Sequence, residues 1–437
     1  MKILDASKNE VDLPKLLIRS SPDTTSTVSE IIDEVRKYGD RALNEYTLKF
    51  DGIDNGEKPK IMSRAELASY CKNVAVAKLS DKQIEAIDKA VINVSWCASK
   101  SIPKDWSDAG PDGQVVGERF TPFERVACYV PQGSFPLVST AIHTAAIAKT
   151  AGVKDIVMVT SPSEEDLNPA VAYAALQSGV TEIVFVGGAQ GIAAVALGTE
   201  SIARVDFICG PGNQYVAEAK RALFGSVGID MVAGPSEVFV IADQTGDAYA
   251  IACDLVAQAE HGSGSEASVL LSDSIELIVA VEIELELLKN ELASNNGFQS
   301  VWEKSMYLVQ TSSIEQAINI TNACAPEHVE IQTENAQEDS KLVKNAGAIF
   351  VGPHSAEPLG DFVAGPSHVL PTNSSARFTS GLSATSFYRR TSIIEIGGAA
   401  YEKLSAPAKE FADMEGLIGH GLSSIARNRN TESASNE

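Results

Sequence analysis

Long apolar runs are missing from this chain. No stretch of about 18 consecutive apolar residues occurs, so no membrane-spanning helix is expected. Basic clusters are missing too. Lys and Arg number 35 against 58 Asp and Glu, for a formal net charge of -23. That balance argues against a nucleic-acid partner, and solubility alone accounts for the acidity. The six cysteines, Cys71, Cys97, Cys128, Cys209, Cys253 and Cys324, form no C-x-x-C pair. Cys128 and Cys209 sit in apolar, strand-like runs. They read as reduced core thiols of a cytoplasmic protein, not as a disulfide or zinc–thiolate frame. Residues 1–15 are mixed polar and lack the apolar core of a signal peptide. A Walker-type Gly-Lys-Ser/Thr is also absent.

Histidine is scarce, with six in 437 residues, and its placement is the most informative feature present. Gln258-Ala259-Glu260-His261-Gly262 closes one expected helix, and Pro326-Glu327-His328 follows another. Gly360-Asp361 precedes His368, and Glu415 precedes His420. A single His beside an acid is usually a surface or capping pair. The recurrence is harder to dismiss. Gln258 and His261, three apart, share one face of a helix. With Asp361 and His420 they offer mixed oxygen and nitrogen donors without cysteine, which suits zinc, or manganese or cobalt in its place. Glu327 next to His328 places two acid/base groups together, as repeated proton transfer requires. His143 and His354 read as structural or surface residues.

A chain of 437 residues exceeds one ordinary core, so two or more domains are expected. Residues 1–25 read as a short arm. Val28, Ile31, Ile32 and Val35 then repeat at helical spacing up to Gly39, and Ile84, Ile87, Val91 and Val94 do so behind an Asp81 cap. From residue 126 the rhythm changes. Strands are expected at 126–130, 156–159, 183–186 and 207–209, separated by helices at 136–151, 169–178 and 190–197, with another at 216–224. A second series places strands at 238–242, 268–271, 307–310, 328–331 and 348–351 between helices. Short apolar runs alternating with helices predict parallel, doubly wound α/β sheets. Residues 380–430 read as a helical tail. The glycine loops Gly187-Gly188-Ala189-Gln190 and Gly210-Pro211-Gly212-Asn213 follow strands and open helices. Neither matches G-x-G-x-x-G, and a tight turn explains each as well as a ligand does. Ligands nonetheless bind at the carboxyl ends of such strands, where Tyr129 also lies.

Taken in order, YVPQGSFPLVST, GGAQGIAA, GPGNQYVAEAKR, AGPSEV, QAEHG, APEHVE, NAGAIFVG, LGDFVAGPSHVLPT and EGLIGH resemble histidinol dehydrogenase from about residue 28 to 425. The resemblance implies two incomplete Rossmann-like domains with small terminal helical segments. It divides the chain into an arm (1–26), a larger domain (27–128 with 237–380), a smaller NAD-side domain (129–236) and a tail (381–437). It implies a zinc-dependent homodimer with shared sites. Such an enzyme oxidises L-histidinol through L-histidinal to L-histidine with two NAD, closing histidine biosynthesis. Gln258, His261 and Asp361 match zinc ligands, with His420 supplied by the partner subunit. Glu327 and His328 match the acid/base pair; Tyr129, Gln190 and Asn213 match NAD contacts. Ser236, His368 and Glu415 match substrate contacts, as do the metal ligands and the acid/base pair. The usual Pro-Gly-Gly is Pro131-Gln132-Gly133 here, the run 263–267 after the QAEHG block departs from the usual turn, and the helix with His143 is atypical. The alternatives are a paralogous zinc/NAD dehydrogenase acting on another small polar alcohol such as a sulfonated diol, a metal hydrolase using Glu327, and an inactive binding module.

Overall fold

The computed structural model describes residues 1–9, 11–17, 23–132, 135–163, 167–260, 264–292 and 295–428. Residues 1–102 with 123–387 make one compact unit, and 103–122 with the chain from 388 onward make another.

The first unit holds two six-stranded sheets. One contains β1 (Lys2–Asp5), β10 (Glu237–Ala242), β11 (Ala267–Ser272), β12 (Met306–Gln310), β13 (His328–Gln332) and β14 (Ala348–Val351), in the order β1-β12-β11-β10-β13-β14. Every pair in it is parallel. Side chains alternate across a strand, and β10 uses both faces. Val238, Val240 and Ala242 pack under the helices Ala248–Ala259 and Ile275–Glu291, while Phe239 and Ile241 join Leu13, Leu17 and Ile318 on the other side. Helices on both faces explain why these strands are continuously apolar.

The other sheet contains β2 (Ile61–Ser63), β5 (Arg125–Tyr129), β6 (Asp155–Thr160), β7 (Glu182–Phe185), β8 (Phe207–Cys209) and β9 (Gly228–Ile229), in the order β2-β7-β6-β5-β8-β9. All pairs are parallel except β2 with β7. Cys128 and Cys209 are register partners with free, buried thiols, Sγ to Sγ 3.8 Å.

Three details refine the expectations. Residues 28–46 lie on the second sheet. The apolar stripe Val28, Ile31, Ile32, Val35, Leu43 and Tyr46 covers the second sheet, against Ala127, Val157, Val184 and Ile192. Burying each such aliphatic side chain is worth about 1.5–3 kcal/mol, and that stripe decides which sheet the segment joins. The expected arm begins with a strand, β1, that extends the first sheet. The helix Asp81–Ser99 is capped by Ser80 and not by Asp81: Ser80 Oγ accepts the Gln83 N–H and Gln83 Oε1 accepts the Ser80 N–H, a capping box.

The second unit, expected to be helical, also contains a sheet. Antiparallel β3 (Trp106–Ala109), β4 (Val115–Pro122) and β15 (Tyr388–Glu395) pair in the order β15-β4-β3. Helices Gly398–Met414 and Ile418–Ile425 follow.

Candidate active site

The expected acid/base pair stands at the amino end of β13. Glu327 is the residue before the strand and His328 is its first member. Both are buried, at 5% and 2% exposure, because β13 lies between β10 and β14. His328 Nδ1 is 3.3 Å from the Glu237 carbonyl and 3.8 Å from Glu327 Oε2. Its Nε2 is 3.5 Å from Asp361 Oδ1. Glu327 Oε2 accepts the Glu237 N–H at 3.3 Å, and the Ser236 side chain also hydrogen-bonds Glu327. The ring of His328 rests 5.9 Å from that of Phe350.

A third acid completes the cluster. Glu357 opens the short helix Glu357–Leu359, and Asp361 follows on the wide turn Gly360–Ala364. One ligand atom each from His328, Glu357 and Asp361 falls within 4.8 Å of the others. The Glu357 N–H donates to Glu330 Oε1 at 2.9 Å, which ties this turn to β13. Burial drives the Glu357 carboxyl up to about 8, with the Asp361 charge adding to it. Burial also raises Glu327. For His328, burial pulls down, but the charges of Glu327, Asp361 and Glu357 outweigh it and lift the imidazole to about 10. Burial would raise Asp361, yet the hydrogen bond and charge of His328 hold it below the usual carboxylate range. Without a cation, the neighbouring acids keep the proton on His328; a neutral His328 belongs with an occupied site.

Glu327, Glu357 and Asp361 crowd one imidazole in a poorly solvated place, where holding charge is costly. A divalent cation relieves that cost, and the donor set of imidazole nitrogen and carboxylate oxygen fits zinc or a related ion. Of the expected ligands, Asp361 lies in the cluster. Gln258 is fully buried near the end of the helix Ala248–Ala259. It sits one turn past Asp254, whose carboxylate accepts from Gln332 of β13. His261 lies outside the described residues. Glu415 and His420 are exposed in the second unit, around the start of the helix Ile418–Ile425. Glu357 was missed by sequence reasoning, although its spacing of four from Asp361 was a usable signal.

His368 is held from below. Its N–H donates to His143 Nδ1 at 3.3 Å, and the two rings stack with centroids 4.6 Å apart. Thr140 Oγ1 is 3.2 Å from His368 Nε2. His143 is fully buried, a structural residue as expected, whereas His354 is exposed.

The expected cofactor contacts gather at the carboxyl ends of the other sheet. Tyr129 ends β5, and its Oη accepts the Gly188 N–H at 3.0 Å. Gln190 is buried in the first turn of the helix Gly188–Leu197. Asn213 caps the helix Gln214–Leu223, accepting the N–H groups of Tyr215 and Val216 at 3.0 and 3.1 Å. Strand order reverses between β5 and β8, so Tyr129 and the 210–213 loop flank the crevice where doubly wound sheets bind ligands.

Comparison with known proteins identifies the family. A family model described as histidinol dehydrogenase matches residues 18–428. The histidinol dehydrogenase of Agrobacterium fabrum is 41% identical over 403 residues, covering 92% of each chain. That of Rhizobium meliloti is 40% identical over 407 residues, 93% of this chain and 92% of the relative. The crystal structure of histidinol dehydrogenase from Elizabethkingia anophelis superposes with a TM-score of 0.90 at 30% identity, covering 99% of both chains.

Proposed function

The chain belongs to the histidinol dehydrogenase family of oxidoreductases, and on that footing we propose that it oxidises L-histidinol to L-histidine with two NAD. The observation that carries the chemistry is the convergence of Glu327, Glu357 and Asp361 on the buried His328 at the amino end of β13. When bound, zinc would supply a Lewis acid that fixes the substrate's amine and imidazole nitrogens. Asp361, Gln258 and His261, with His420 of the partner subunit, would hold it. Ser236, His368 and Glu415 serve the substrate, and Tyr129, Gln190 and Asn213 serve NAD.

His328 takes the carbinol proton as hydride departs to NAD. Glu327, held by Ser236 and the Glu237 N–H, activates the water that adds to the aldehyde. The hydrate then loses its second hydride with His328 again as base. Holding these groups in place contributes much of the rate, because positioning removes entropy from the barrier. The enzyme works as a homodimer with shared sites in the cytoplasm, closing histidine biosynthesis. The deciding experiment follows reduced NAD with L-histidinol and with a sulfonated diol at equal concentration. Histidinol should be oxidised with the higher kcat/KM. Preference for the diol would overturn the substrate assignment, although identities near 40% to histidinol dehydrogenases favour histidinol.

A further inference from the structure

Lys220 is a charged residue with almost no access to water. It sits on the helix Gln214–Leu223 with its side chain 2% exposed, paired with Asp230 at 1%. Taking two charges out of water costs several kcal/mol per ion, and apolar residues often serve stability as well. The pair therefore calls for a geometric reason, and its other contacts supply one. Lys220 Nζ donates to the Gly210 carbonyl at 3.0 Å. Asp230 Oδ2 accepts the Gly210 N–H at 2.8 Å, and its Oδ1 accepts the Met231 N–H at 2.6 Å. Both polar groups of one glycine are thus gripped by the two ends of one buried ion pair.

Gly210 is an unusual residue to grip. Its φ is +110°, and a Cβ there would stand 2.3 Å from the Tyr129 carbonyl. It packs directly on the end of β5 and begins the loop that ends in the Asn213 cap. The Tyr129 hydroxyl meanwhile fixes Gly188 of the neighbouring loop. The loops at the carboxyl ends of β5, β7 and β8 are therefore tied together from beneath.

We infer that Lys220 and Asp230 are positioning residues that preset the Gly210–Asn213 loop for NAD. This rests on the NAD reading above. A preset loop binds more tightly because less ordering remains to be done on binding.

The test is the double variant Lys220→Met with Asp230→Asn. It removes both charges together and keeps an acceptor for the Gly210 N–H. NAD affinity, by direct titration of the metal-loaded enzyme, should fall about tenfold, the effect of losing one charge-assisted hydrogen bond. Histidinol KM at saturating NAD and the thermal midpoint should change little, which a merely structural role would not allow. An NAD dissociation constant within about twofold of wild type would overturn the inference. If the wild type itself binds no NAD, the functional reading fails first. Should the double variant not fold, amide exchange on the wild type decides. Gly210 and Asn213 amides exchanging as slowly as β8 before NAD is added support a preset loop. Exchange at open-loop rates overturns it.

Discussion

The imidazole Nε2 of His328 lies 3.5 Å from Asp361 Oδ1, and this pair joins the amino end of β13 to the turn that bears the expected metal ligand. The contact makes protonation of His328 and occupancy of the cation site two sides of one equilibrium. In the cation-free protein the acids hold His328 up to about 10, so it is charged at neutral pH. A cation held by Asp361, beside Glu357, would take that stabilising charge and add repulsion. The proton must then leave, and His328 becomes a base.

The first prediction follows directly. Zinc binding to the metal-free protein at neutral pH should release about one proton from this site, beyond protons lost by the ligands themselves. Calorimetric titration in two buffers of different ionisation enthalpy measures it. Identical binding heats in both buffers would break the link between His328 and the cation.

Glu357 should matter to the metal more than to the fold. Glu357→Gln keeps its shape and its N–H bond to Glu330 but removes a carboxylate from the cluster. Zinc affinity should fall about tenfold or more. The metal-free protein should keep its stability, because the amide can donate to Asp361 as the protonated Glu357 does. Competition with a chromophoric chelator and a thermal melt give the two readings. Unchanged affinity would remove Glu357 from the cation site.

His143 sets a stability slope in acid. Burial first, then the charge of His368, lowers its imidazole from 6.5 to about 3. The unfolded chain therefore binds a proton that the folded protein refuses. The stability His143 contributes is present above its unfolded value and is lost as pH falls from about 6.5 toward 3. His143→Phe keeps a ring stacked on His368 but cannot titrate. Its unfolding free energy should fall less steeply in that window, by up to about 1.4 kcal/mol per pH unit. Urea unfolding from neutral pH to about pH 5 tests this. Parallel slopes would show that His143 takes no part.

Much of the fold was legible because the buried parallel strands are short apolar runs with helices between them. The strands at 126–130 and 238–242 were expected within a residue of β5 and β10. What failed was information that lies far away in the chain. Lys2–Asp5 becomes a strand only by pairing with Met306–Gln310. Tyr388–Glu395 is an exposed strand that exists through its ladder with Val115–Pro122, and its local pattern resembled a helical tail. Glu327, His328 and Asp361 were singled out by residue type, and they meet in space. Where they meet was not legible. Those residues cluster at the amino end of β13, whereas the usual expectation for wound sheets is the carboxyl end. Only the expected cofactor contacts, Tyr129 and Asn213, obey that expectation.

The most direct measurement is the yield of reduced NAD per molecule of L-histidinol consumed to completion by the zinc-loaded enzyme. Two activations by His328 around one hydration by Glu327 predict two reduced NAD, with histidine as the product and no free aldehyde accumulating. One reduced NAD per histidinol, with histidinal released, would contradict the account.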